Sequence, residues 1–545
     1  MADPVPANRL PAGGTWNGVV GVVGVDPTAR TKFGSTLSTS STVSQINSAL
    51  SSAGADQYVE LAAGVFSIGG DINFNAARKT LRGQVDGNGN PATTLRFSSA
   101  SNLINMMTTN WDFGSSGLFT NLSVSSGATR GSTTVNLSGT PSGLTAGRLM
   151  WISAPTNAPT IDGGGWTNMF GSRPFSQVVK VTGVSGNSVS FAPAINADYI
   201  SGLAVQVHYR SAGDQIDYCG IENCVIECGT NSYFNDQIIY MQGANQCWVK
   251  NCRLLRLGGT ASLRAMIYLY GCYNVEVSHC VLAHCNQNNS SAMYCMSSLN
   301  CSGLLIVNNE FTDVANTYPI LMTSGSAFAY NYCHDNGYGL FQSQWVFHHG
   351  SHNHYNLFEG NWIAGQHAND ETSNGNQSHS RNSTYVRERI VGKDGGSTTN
   401  LNCLLFMAHH DNVTAAACVL GTPGVQGYVG GGGGNTGENE GYCFNLDGTS
   451  TSTLLKFGNY NTANGGVPAA EVSAMAGGVV KDSYLYPSKP AWFGSLPWPW
   501  CDPNNFAQSN NVQNLPAGYR AVNGRDPVPS GPAPSQPTNL RIILG

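Results

Sequence analysis

The chain has 545 residues and a formal net charge of −5, with 10% charged side chains against 41% hydrophobic ones. The charged share is far below the roughly 25% usual in soluble domains, and with no basic excess to neutralise phosphates, nucleic-acid binding is not expected. The longest early apolar run, Val19 to Val25, spans seven residues where a bilayer needs about 20, so membrane insertion is not expected either.

In chain order, residues 1–40 read as an N-terminal segment without a charged or apolar leader, as in a mature secreted chain behind an added Met. Val43, Ile46 and Leu50 have helical spacing, and Thr42 with Gln45 is placed for a capping box. Tyr58 to Leu61 follows as a strand, so 41–124 is expected to form an N-terminal cap and the first coils of a solenoid. Residues 125–210 change rhythm. Thr133–Leu137, Leu149–Ile152, Gln177–Val181 and Ser188–Phe191 read as strands, with a hairpin turn at Gly186-Asn187. They predict an inserted small antiparallel β-barrel or sandwich. Its segment from Gly164 to Phe170 either overhangs a groove or is a plain loop.

Residues 211–412 repeat. Ile221-Glu222-Asn223-Cys224-Val225 returns as Val249-Lys250-Asn251-Cys252-Arg253, then as Val277-Ser278-His279-Cys280-Val281 and Val307-Asn308-Asn309-Glu310-Phe311. Aligning positions 223, 251, 279, 308, 331, 361 and 388 gives steps of 28, 28, 29, 23, 30 and 27. A strand–turn period of this size, with no helix-length segment between copies, predicts an all-β parallel β-helix. Asn in one column tolerates left-handed backbone, and its amide can ladder between coils about 4.8 Å apart. Ten of the fifteen cysteines lie between Cys219 and Cys301. Stacked Cys224, Cys252 and Cys280 predict mostly buried thiols, with one or two disulfides elsewhere. Past residue 412 the repeat fades. Residues 413–525 are expected as C-terminal loops and a cap, with Trp492, Trp498 and Trp500 over the last coils. Residues 526–545 read as a Pro-rich linker and the stub of a further module, as in a larger multidomain extracellular chain.

The helix, strand and Ala-Gly turn of the opening, followed by the Asn-bearing coils, resemble the right-handed parallel β-helix proteins of the pectate-lyase-like superfamily over about residues 15–500. The resemblance implies a right-handed solenoid, a secreted protein and a polysaccharide partner, with uronate-containing polymers among the candidates. Calcium is the cofactor that some members would imply, but their Asp cluster does not stand here. The hydrolase series is missing as well, since His349-Gly350-Ser351-His352 only partly echoes it. The reaction stays open between lyase and glycoside hydrolase. A non-catalytic carbohydrate-binding, adhesin or structural β-helix is the alternative.

Eleven of the twelve histidines fall between His279 and His410. His352 and His354 share a strand face. The local step of 27 sets His379 beside His352 and Arg381 beside His354. As a catalytic face, His352 or His379 would take a proton and Arg381 would stabilise the resulting anion. The same imidazoles could hold a divalent metal, or the column could be a structural ladder. Glu359 with Glu388, or Asp370 with Glu371, would supply a carboxyl pair for hydrolysis. Trp345, Trp362 and Tyr385 are candidates for stacking on sugar rings, with Arg387 and Lys393 as further substrate contacts.

Overall fold

One backbone position per coil builds the architecture. Asn223, Asn251, His279, Asn308, Tyr330, Gly360, Arg387, Ala417 and Gly458 all have φ between 50° and 65°, a left-handed residue that turns the chain sharply from one parallel strand into the next. A computed structural model describes residues 2–97, 104–107, 119–155, 173–197, 204–210, 215–228, 237–256, 265–284, 294–314, 316–335, 344–350, 352–368, 380–395, 397–398, 401–406, 410–430, 441–446 and 454–528. Among them the strands stack into three parallel walls of a β-helix. Sheet A has 12 strands, sheet B 11 and sheet C seven. A four-stranded parallel sheet continues wall C, joined to it by Trp345 N donating to Gln366 O (3.0 Å).

The register is strict because each inward column is buried. Ile221, Val249, Val277, Ile306, Phe328, Phe358 and Tyr385 pair in succession. The interior thus passes from aliphatic to aromatic, and Phe328, Phe358 and Tyr385 stack face to face at 5.2 and 4.8 Å. Slipping one strand by a residue would turn its apolar set outward.

Beside each left-handed residue the parallel ladder is broken, and an inward side chain from the next coil completes it. Asn331 Oδ1 accepts from Asn309 N (3.0 Å), Asn361 Oδ1 from Asn331 N (2.8 Å) and Glu388 Oε1 from Asn361 N (3.1 Å). Asn223, Asn251 and His279 superpose as expected, and Asn251 Nδ2 donates to Asn223 Oδ1 (2.9 Å). The sequence alignment slips after Asn308, however. Asn331, Asn361 and Glu388 belong to the neighbouring inward column, and Tyr330, Gly360 and Arg387 continue the turn column. The coils also do not stop near residue 412, because parallel pairing runs on through Tyr460–Asn461. The step from Ala417 to Gly458 is 41 residues, and this lengthened coil hides the period.

At the N-terminus, a helix over Val43–Ser52 carries the expected capping box: Gln45 N donates to Thr42 Oγ1, and Thr42 N donates to Gln45 Oε1 (2.8 Å). The insertion is a closed six-stranded antiparallel barrel whose strands run from Thr120–Ser126 to Gln206–Tyr209. Thr120–Leu122, read from sequence as coil, is therefore barrel. Leu149, Trp151 and Val178 of the barrel pack on Tyr273, Leu321 and Met322 of the helix. The two terminal segments blanket the outer face of sheet A: Leu10, Trp16 and Val20 from one end, and Phe493, Trp500 and Leu515 from the other, bury Leu305, Ala327 and Leu357. Residues 529–545, with the expected module stub, lie outside the described residues.

The thirteen cysteines whose side chains are described are free and buried. The expectation of one or two disulfides fails among them. Directly stacked residues hold their Cβ atoms near the ~4.8 Å coil spacing, wider than the ~3.8 Å a disulfide spans.

Candidate functional site

The pairing of Arg381 with His354 holds and its expected consequence does not. His354 pairs with Arg381 on the next coil. Yet the face they form is covered by the barrel: Phe175 lies 5.5 Å from His352 and 5.3 Å from His354, and the Arg381 guanidinium sits over its ring at 5.2 Å. His352 and His354 are buried. Burial lowers the His354 pKa to about 4, against its Nδ1–H bond to the His352 carbonyl (2.8 Å). This column is a docking seam for the barrel, and an open catalytic face is not what it presents. His379, Asp370 and Glu371 lie outside the described residues, as does the segment from Gly164 to Phe170.

The other expected site residues disperse by side-chain direction. Glu388 points inward, where burial pushes its carboxyl well above the usual range. Trp345 and Tyr385 are interior too. Glu359 faces outward beneath the terminal cover, accepting from Tyr484 N (2.7 Å), Tyr330 Oη (2.5 Å) and Ser483 Oγ. Arg387 donates to the carbonyls of Lys481 and Val480 in the same cover. Neither carboxylate can flank a bond in solvent, so the Glu359–Glu388 pair is not a hydrolytic pair. Trp362 is half-buried on wall B between Tyr332 and Arg389, and Lys393 is half-buried just past the strand Arg389–Ile390.

Three more imidazoles gather inside the coils. His348 lies 4.6 Å from His410 and 6.0 Å from His367, and Tyr385 Oη is 3.0 Å from His367 Nε2. Burial first, then the neighbouring imidazoles, pulls His348 and His367 well below the ordinary value, and burial takes His410 to about 3. They are neutral core side chains.

The solvent-facing titratable cluster lies where wall B turns toward wall C. Three left-handed residues, His284, Asp313 and Asp335, end successive strands of sheet B, with φ of 63°, 52° and 51°. His284 Nδ1 meets Asp313 Oδ2 at 2.8 Å. In the next coil His334 is held on both edges, by Asp335 Oδ2 at Nδ1 (2.7 Å) and Glu310 Oε1 at Nε2 (3.1 Å). Burial alone would lower the His334 pKa. The hydrogen bonds and charges of Glu310 and Asp335 outweigh it and raise it. Tyr332 stacks on His334 at 4.1 Å and meets Trp362 edge-on at 5.1 Å. On wall C, Tyr240 stacks on Tyr268 at 5.7 Å.

Sequence reasoning missed His284, Glu310, Asp313, Tyr332, His334 and Asp335. A signal was there. Steps of 29 and 22 relate His279, Asn308 and Tyr330, and the same steps relate His284, Asp313 and Asp335. Chemically the corner offers aromatic rings, an acidic proton and carboxylate acceptors on one partly open surface. No group of three His, Cys, Asp or Glu suited to a metal occurs among the described residues, so no step is assigned to calcium or another ion.

Among solved structures, the fold is similar to that of the tailspike protein gp49 from Pseudomonas phage LKA1, at 15% identity and TM-score 0.51, covering 76% of this chain and 67% of that one. The Gp54 tailspike of Acinetobacter baumannii bacteriophage AP22, solved in complex with A. baumannii capsular saccharide, matches at 10% identity and TM-score 0.46, covering 75% of this chain and 62% of its own. PfbA, a surface adhesin of Streptococcus pneumoniae, matches at 10% identity and TM-score 0.38, covering 78% and 93%. The chain thus spans about two thirds of the tailspikes it matches. At 15% identity the likeness to the LKA1 tailspike shows the fold alone. No family model and no curated protein matches the sequence.

Proposed function

We propose that this β-helix is an extracellular carbohydrate-acting protein that holds a polysaccharide along the B–C corner and cleaves it there, as a lyase or a glycoside hydrolase. The observation that carries the reading is the His334 cluster. An imidazole poised by two carboxylates, stacked on Tyr332, sits on a wall that repeats once per coil. Repetition along the solenoid axis suits a repeating polymer, and a poised imidazole suits proton transfer at a glycosidic or C–H bond. The shared fold with a phage tailspike is consistent with this and fixes no reaction.

One observation favours binding without cleavage. Both ring nitrogens of His334 are already engaged by Glu310 and Asp335, so a reacting sugar must displace one of them. Incubation with a panel of plant and microbial polysaccharides separates the readings. New reducing ends show cleavage, and ultraviolet absorbance from an unsaturated uronate identifies a lyase. Retention on a polymer without either product supports the binding-only reading. Neither retention nor products across the panel would contradict both.

A further inference from the structure

The cover over sheet A has a gap. Between Pro27–Thr28 of the N-terminal segment and Asp526 of the C-terminal one, a groove of about 360 Å³ reaches down to Glu222, Lys250 and the corner residues Asn223, Asn251 and His279. That volume is at the small end of ligand pockets, which run ~300–1,000 Å³. Elsewhere under the cover Leu305, Val307 and Ala327 are buried among apolar side chains, and the charged Glu359 and Arg387 are bonded to the cover itself. Here the floor is polar, and its groups fall into two sets.

The first set is internally satisfied. Glu222 accepts from Arg82 Nε (2.6 Å) and Trp248 Nε1 (2.8 Å), and Arg82 is held over the Tyr58 ring at 4.1 Å. Asp526 is turned to Arg520 (2.7 Å). Asp26, the carboxylate whose charge senses Lys250, accepts from Thr28 N and Oγ1 (2.8 and 2.6 Å). The second set is not satisfied. Asn251 Nδ2 donates to Asn223 Oδ1 and to Gly89 O (3.0 Å), which leaves Asn223 an amide donor and Asn251 an amide acceptor. The Lys250 ammonium has no hydrogen-bond or ion-pair partner among the described residues. His279 Nδ1 is buried and unpaired.

We propose that this groove binds a single acidic sugar, its carboxylate on Lys250 and its hydroxyls among Asn223, Asn251 and His279. A bare ammonium beside an amide donor is an anion acceptor. The amide oxygen and the imidazole nitrogen match hydroxyl groups, which both donate and accept. A plain carboxylate would use only Lys250 and Asn223, and a neutral sugar would leave Lys250 unanswered. The groove lies at the A–B corner and does not depend on the B–C corner as a polymer site.

Calorimetric titration of the full chain with D-galacturonate, D-galactose and acetate tests this, alongside Lys250→Met. Galacturonate should bind at least about tenfold more tightly than galactose or acetate, and Lys250→Met should weaken it roughly ten- to a hundredfold with an unchanged melting temperature. Absence of galacturonate binding would overturn the proposal, as would equal binding by the variant or acetate binding as tightly. Concurrent loss of polysaccharide binding in Lys250→Met would overturn it as a separate pocket, whereas retained polymer binding supports it.

Discussion

Glu388 shows what a coil interior does to a carboxyl. One oxygen completes the amide ladder below Asn361, while Oε2 is buried without a partner. Burial therefore favours the neutral acid. A folded-state value above the unfolded one, about 4.3, gives stability that is fully present below pH 4.3 and lost as pH rises through the folded value. Glu388→Gln keeps the ladder acceptor and removes the titration. Its melting temperature should exceed that of the parent by roughly 1–3 °C at pH 8 and equal it at pH 4. An equal shift at both pH values would show that proton linkage is not the cause. Asn331 is the complementary case. Its side chain satisfies two donors of Asn309 and the Ile306 carbonyl, so Asn331→Ala should cost about 2–4 kcal/mol in denaturant unfolding. The His354–Arg381 pairing was legible at this scale because coil steps are integers. That Phe175 would cover the pair was not, because it comes from an insertion about two hundred residues away in sequence.

At the scale of elements, the interior of the later coils is acid-sensitive. His348, His367 and His410 are buried and neutral, with folded values below the ordinary 6.5. Their linkage has the opposite sign to Glu388: stability is intact above pH 6.5 and falls as acid protonates the unfolded chain first. In hydrogen exchange followed from pH 7.5 to 5, protection factors corrected for the intrinsic rate should therefore fall in Gln344–His348 and Leu404–Phe406 before Gly220–Glu222, which lies in coils without this cluster. A uniform fall in all coils would contradict it. The sequence displayed the parallel strands clearly, since apolar triplets flank a left-handed residue. It did not display which way each His points. In a coil with three walls and short corners, a slip of one residue at a turn reverses the assignment, as happened after Asn308.

At the scale of the whole molecule, the solenoid is dressed on its faces: the terminal segments lie on wall A and the barrel lies at one end of wall C. The side chains of His284, Asp313 and Asp335 in the His334 cluster stay exposed. Phe175 joins barrel to helix, and Phe175→Ala should cost about 3–5 kcal/mol, read as faster hydrogen exchange in the barrel strands while Gly220–Glu222 is unchanged. The insertion was visible in the sequence as a change of rhythm, but its docking was not, because seam residues such as Trp151 and Val178 look like ordinary barrel core. In the proposed function, polysaccharide is engaged at the B–C corner and not at the barrel seam. The most direct measurement is polysaccharide retention by Tyr332→Ala and His334→Ala beside Arg381→Ala, each checked for an unchanged melting temperature. Engagement at the corner predicts at least about tenfold weaker retention for the two corner variants and parental retention for Arg381→Ala. Parental retention by both corner variants, with loss in Arg381→Ala, would contradict it.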